Sequence, residues 1–218
     1  WVAYFLRGAD AATPKQAAHT SGQTSFRALA DRHFLGIAAI FLFCSVGIFG
    51  TIVHVVPMLT DIGLSPSRAA GFASTLGIAA IIGRILTGFL LDIFDTARLS
   101  ATLFTLSAVG MLLLTLDNSI LVAPGLLMTG FAVGAEFDLA AYLVSRKFPL
   151  RLYSIIFGGV YATVAFGAGI GPFLAGRLLD NYGSYTSWLY VSSGLLLAAA
   201  ILCLTTRPVS HSAGASEG

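Results

Sequence analysis

Apolar residues run along this chain in stretches long enough to cross a bilayer as helix, for which roughly 20 residues are needed, and short clusters of charged and turn-forming residues separate them. Reading the runs between these breaks predicts helices over 34–57, 69–91, 99–116, 120–145, 152–178 and 186–205. Thr60 to Ser67, with Asp61, Gly63 and Pro66, reads as a turn, and Asp117 with Asn118 marks another. No ten-residue alternating pattern of the kind a β-barrel strand needs competes with them. The expected fold is an all-α membrane protein of six transmembrane helices.

Before the first run lies a polar stretch, so residues 1–32 are expected to be the exit of a preceding membrane helix, WVAYFLR, followed by a linker. The transmembrane domain then covers 33–206, and 207–218 form a disordered tail. A chain that opens at Trp1 in this way is expected to be part of something longer.

Composition agrees with the pattern. Hydrophobic residues make up 56% of the 218 residues and charged residues 10%, against roughly 25% charged in a soluble domain. Mean hydropathy is +0.87. The net charge of +2 is small and its basic residues are scattered, which excludes a nucleic-acid partner. Cys44 and Cys203 both fall inside apolar runs, where they suit small buried hydrophobes better than a disulfide or a metal site. No cofactor and no metal are expected.

The basic residues that do exist are unevenly placed. Arg7, Lys15, Arg27 and Arg32 precede the first run, and Arg98, Arg146, Lys147, Arg151 and Arg207 fall in the even-numbered loops and tail, whereas Arg68 and Arg177 are alone on the other side. The positive-inside rule then puts the linker and the C-terminus in the cytoplasm. Tyr182, Tyr185, Trp188 and Tyr190 fall near the outer interface, where aromatic belts form.

Two segments repeat. GRILTGFLLDIFD begins at Gly83 and GPFLAGRLLDNYG at Gly171, with Gly, Leu, Gly, Leu, Leu and Asp in register at an offset of 88 residues. That offset is three helices, an odd number, so the second copy crosses the membrane in the opposite sense. An inverted three-plus-three repeat of this kind recurs within secondary transporters, where it supplies two packings of similar energy for alternating access.

HVVPMLTDIGLSPSRAAG from His54, GRILTGFLLDIFDTAR from Gly83, EFDLAAYLVSRKFPLRLYSIIFG from Glu136 and GPFLAGRLLDNYGSY from Gly171 together resemble the major facilitator superfamily. Within it they are similar to the bacterial branch near monocarboxylate transporters and oxalate/formate antiporters. The resemblance spans about residues 33–206 and corresponds to helices seven to twelve of a twelve-helix carrier. It implies an inner-membrane location in a bacterium, a small organic anion as substrate, protons or an exchanged anion as the coupled species, and an N-terminal six-helix half as partner. The family's gating loop pairs a helix-end Asp with basic residues and a Gly. Asp92 and Arg98 fit it here, while Ile93 stands for the usual base and Asp95 for the usual Gly.

Charges inside the spans are the candidate chemistry, because an ionised group at the bilayer centre costs roughly 2.5–3.5 kcal/mol on insertion scales. Arg84 lies about eight residues, roughly 12 Å of helix, from the end of the second span. It needs a partner or a wet cavity, and its guanidinium can grip a carboxylate bidentately. The resemblance implies contact with the anionic substrate, and the alternatives are an ion pair with Asp92, Glu136 or Asp138, or snorkelling. Glu136 and Asp138 stand two apart, pointing roughly 200° apart around one helix, so they cannot share a site. Either is a candidate proton carrier facing the cavity, or a packing partner of Arg146 or Arg84. His54, near the outer end of the first span, would line the external mouth or hydrogen-bond a nearby carbonyl. Tyr142 and Tyr161 are polar handles for substrate or packing residues with satisfied hydroxyls. Gly130 with Gly134, and Gly167 with Gly171, have the small-xxx-small spacing of close helix contacts. GAGIGP from Gly167 has no preceding strand and is no nucleotide loop.

The leading expectation is a secondary transporter for a monocarboxylate or other organic anion. Carriers of drugs, sugars or nitrate share such a scaffold. An intramembrane enzyme finds no HExxH, paired aspartates in a glycine context or plausible Ser/His pair to support it. A truncated, non-transporting membrane protein is the remaining rival.

Overall fold

The computed structural model describes residues 28–205. Readings that fall on 1–27 and 206–218, including the preceding helix exit, most of the linker and the tail, lie outside the described residues. After a 3-10 turn at Ala28–Ala30 come six helices: α1 (Arg32–Asp61), α2 (Pro66–Ile93), α3 (Thr96–Leu114), α4 (Ser119–Lys147), α5 (Leu150–Tyr182) and α6 (Thr186–Thr205). All six are long and apolar enough to span a bilayer.

Their ends are set by local chemistry. Asp31, Ser65, Asp95 and Asn118 each accept a hydrogen bond from a backbone N–H in the first turn of the following helix, satisfying donors that the helix itself leaves unpaired. Pro66 follows its cap, where a missing N–H is harmless. Gly183, at φ 67°, closes α5 in the left-handed conformation that glycine adopts most readily, and donates its N–H to Leu179. The first and fifth predicted spans stop furthest short of these ends. The first continues through Pro57 to Asp61, and the fifth continues through the polar residues Arg177, Asp180 and Asn181 to Tyr182.

Exchanging α1–α3 with α4–α6 maps the packing onto itself. The contact of α1 with α5 has its counterpart in α4 with α2, that of α3 with α4 in α6 with α1, and α3 meets α6 on the axis of the exchange. This is the inverted repeat in three dimensions. Its closest approaches run through glycine. A Cβ on Gly83 would stand 2.7 Å from the Phe131 carbonyl oxygen, and one on Gly130 would stand 2.6 Å from that of Leu76. Equivalent Gly171 presses on the Val46 carbonyl from the other side of the molecule. With no hydrophobic force between helices in lipid, such close van der Waals contact is what holds them together.

The aromatic belt expected at one end divides in two. Tyr182 and Tyr190 are exposed, but Trp188 is fully buried and Tyr185 nearly so. Trp188 packs over Gly50, and its indole N–H donates to Thr51 Oγ1 at 3.0 Å, while Thr51 Oγ1 donates in turn to Gly47 O at 3.0 Å. Thr51→Val removes the acceptor and strands a buried N–H, so it should destabilise the bundle by about 1–3 kcal/mol, read as a lowered melting temperature in detergent. Trp188→Phe, which removes the donor as well, tests the pair when combined with it in a double-mutant cycle.

Candidate functional site

The glycine contact between α2 and α4 decides which charges meet. Gly83 precedes Arg84, and Gly134 stands one turn before Asp138. A Cβ on Gly134 would collide with the Ala80 carbonyl oxygen and lie 2.8 Å from the Arg84 nitrogen. With the two backbones this close, Arg84 Nε reaches Asp138 Oδ2 at 3.5 Å. Of the carboxylates weighed as partners, Asp138 is the one engaged. The side chains are 63% and 31% exposed, and a pair this open contributes only about 0–1 kcal/mol to stability. It sits on α2, which with α5 is the least buried of the spans, at 28% of its apolar window against 61% for α1.

Beside the pair, α2, α4 and α5 line an open groove of about 470 Å³. Gly88 and Leu91 line it from α2, Asp138, Tyr142 and Ser145 from α4, and Tyr153 from α5. Tyr142 Oη accepts a hydrogen bond from Arg146 Nη2 at 2.6 Å, and that guanidinium lies 5.0 Å from the centre of the Tyr142 ring. Tyr161 is half exposed on α5, its ring 5.6 Å from that of Phe137 on α4. The structure thus gathers Arg84, Asp138 and Tyr142 on one face, with Tyr161 beside α4. Arg146, weighed in the sequence as a partner for Glu136 or Asp138, instead holds Tyr142. The signal for its placement was the spacing 138, 142, 146, three residues on one helical stripe.

The other candidates lie elsewhere. Glu136 faces neither the groove nor Arg84 nor Arg146. It is 1% exposed in the core, and among the described residues its Oε1 has no hydrogen-bond partner. It stands two positions before Asp138, roughly 200° away around the helix, so with Asp138 outward it points into the bundle. His54 Nδ1 donates to Gly50 O at 3.0 Å, the local hydrogen bond weighed for it, and the ring lies 5.6 Å from that of Tyr185. It belongs to the opposite end of the bundle, near a cavity of about 170 Å³ lined by Asp61, Asp117, Ser184 and Tyr185. Burial, and then the nearby Asp61 charge, push the Tyr185 phenol above its ordinary value. Asp92 and Arg98 are both exposed where α2 gives way to α3, and among the described residues they form no ion pair with each other. Asp95, standing where the resembled loop has Gly, caps the Arg98 N–H at 3.1 Å instead.

Comparison with known proteins bears on this arrangement. A family model described as Major Facilitator Superfamily matches residues 35–218. Monocarboxylate transporter 12-B of Danio rerio is 27% identical over 208 residues, covering 90% of this chain and 44% of that protein. Monocarboxylate transporter 7 of Homo sapiens is 28% identical over 210 residues, covering 90% and 38%. Among solved structures, the E. coli fucose:proton symporter FucP superposes with a TM-score of 0.71 at 16% identity, over 88% of this chain and 47% of that one. The chain therefore spans less than half the length of these relatives, and the symporter's likeness is one of fold.

Proposed function

The chain belongs to the major facilitator superfamily, and from that premise we propose that it forms the C-terminal half of a secondary carrier for a small monocarboxylate or related organic anion. Its six membrane helices, in two inverted triplets, are half of the family's twelve-helix fold. The observation that carries the substrate class is the Arg84–Asp138 pair. A guanidinium on the open face of the bundle, paired across a glycine contact with one partly exposed carboxylate, is a site where a substrate carboxylate can take the place of that carboxylate. The monocarboxylate transporters among its relatives support the same class.

In this mechanism Asp138 and the substrate compete for Arg84. A proton on Asp138 removes its negative charge, frees the guanidinium and admits the anion, so anion and proton enter together. Release to the other side reverses both steps. The inverted triplets supply the two packings between which the site is exposed to either side. The end bearing Arg98, Arg146 and Arg151 faces the cytoplasm by its excess of basic residues, and an N-terminal six-helix half closes the path over Arg84. A bacterial setting rests on the motif resemblance alone, since the two named monocarboxylate transporters are vertebrate.

Uptake of labelled lactate by vesicles holding the complete carrier tests the proposal, with an inward proton gradient imposed. Acceleration by the gradient is expected in the wild type. Asp138→Asn, which cannot take up the proton, should still exchange lactate but lose that acceleration. No lactate movement in the wild type would sink the substrate class, and an Asp138→Asn variant that keeps its gradient response would remove Asp138 from coupling.

A further inference from the structure

Asp138, Tyr142 and Arg146 follow one another at intervals of four on α4 and so lie on one stripe of it. The first two line the groove between α2, α4 and α5, and Arg146, one turn beyond Tyr142 and hydrogen-bonded to it, lies next to that lining. Its side chain is exposed yet fixed, tied to the Tyr142 hydroxyl at 2.6 Å and stacked on the same ring at 5.0 Å. A guanidinium carries five N–H donors in a planar fork. One is spent on Tyr142, and among the described residues Arg146 has no carboxylate partner. A long cation is thus held still, with most of its donors free among the described residues, beside a groove whose lining residue Asp138 pairs with a second arginine.

The geometry points to Arg146, positioned by Tyr142, as a second carboxylate station on the same path, taking the substrate between Arg84 and the end of the bundle that bears Arg146. From Asp138 to Arg146 is eight residues, about 12 Å of helix, a distance a small anion covers in one transfer. Asp138 displaces the anion from Arg84, and a second site on the way out lets binding stay favourable without becoming a trap. The inference rests on the reading of Arg84 as the anchor of the carboxylate. The chemistry offered at Arg146, a fork for an oxyanion, would also suit a lipid phosphate, and the test separates the two.

The complete carrier is reconstituted in phosphatidylcholine vesicles with and without phosphatidylglycerol, and lactate counterflow is measured from each face for wild type and Arg146→Gln. The half-saturating lactate concentration at the Arg146 face should rise about tenfold, with a change of less than about twofold at the opposite face, in both lipids. An unchanged value overturns the station, and a rise confined to vesicles with phosphatidylglycerol assigns Arg146 to a lipid phosphate instead. A second readout needs no transport. Cys44 and Cys203 are both buried, so a Ser145→Cys thiol in the groove can be followed with a water-soluble thiol reagent. Lactate should slow its labelling, and Arg146→Gln should abolish that protection. Protection without transport would leave the station standing while the carrier function fails, and no protection would sink the station whatever the transport assay shows.

Discussion

Arg84→Ala lowers lactate uptake by the complete carrier at least about 100-fold, and Arg84→Lys restores only a small part of it. Each charge-assisted hydrogen bond from a guanidinium to a carboxylate contributes about 1.5–3 kcal/mol, so a bidentate grip exceeds the roughly 2.7 kcal/mol that a 100-fold effect requires. Lysine keeps the charge but offers a point rather than a fork. Folding is not the cause of the loss, because the Arg84–Asp138 pair is too exposed to contribute more than about 0–1 kcal/mol to stability. The variant should therefore reach the membrane at wild-type levels with an unchanged melting temperature. Removing Arg84 also leaves the Asp138 charge to repel the incoming anion, so Arg84→Ala combined with Asp138→Asn should transport better than Arg84→Ala alone. Uptake within about threefold of wild type in Arg84→Ala would remove the arginine from the substrate path.

How much of this was readable in the sequence depends on what each feature obeys. The spans were legible because the bilayer sets one length and one polarity for all of them. Their ends were less so, since polar residues such as Arg177 and Asp180 continue a helix once it has left the hydrocarbon, and only Gly183 with its positive φ stops it. The repeated GRILTGFLLD and GPFLAGRLLD segments announced the inverted packing, because the first glycine of each, Gly83 and Gly171, presses on a backbone carbonyl of the facing helix. Three carboxylates were within sequence reach of Arg84, and choosing among them depends on the rotation of α4 against α2. No local pattern encodes that rotation. The same limit hid Trp188, whose position near a helix end resembles an interfacial anchor until Gly50 and Thr51 are seen beneath it. The burial of Glu136 was implicit once Asp138 was placed outward, as the two point to opposite sides of one helix.

The largest expected effect on the fold comes from a single methyl group at Gly134. Its Cβ would fall on the Ala80 carbonyl oxygen, and at the same crossing a Cβ on Gly83 would fall 2.7 Å from that of Phe131. Both obstacles are backbone atoms, which cannot rotate aside as a side chain can, so α2 and α4 must separate. Overpacking in a close-packed interior costs about 1–3 kcal/mol and more where the backbone has to move, so Gly134→Ala should lose about 3 kcal/mol or fail to yield folded protein. Separation would also pull Arg84 from Asp138, since Gly134 lies one turn from one partner and Gly83 next to the other. Transport should then fall even in whatever fraction folds. Gly167→Ala should be milder, because the first atom its Cβ meets is the Ser45 hydroxyl, which can turn away. Gly194→Ala on α6, with nothing within contact distance, should be neutral or gain up to about 1 kcal/mol from the better helix former. Melting temperatures of the three variants in detergent give the comparison, and a Gly134→Ala protein that melts with Gly194→Ala would show that α2 and α4 do not meet through glycine.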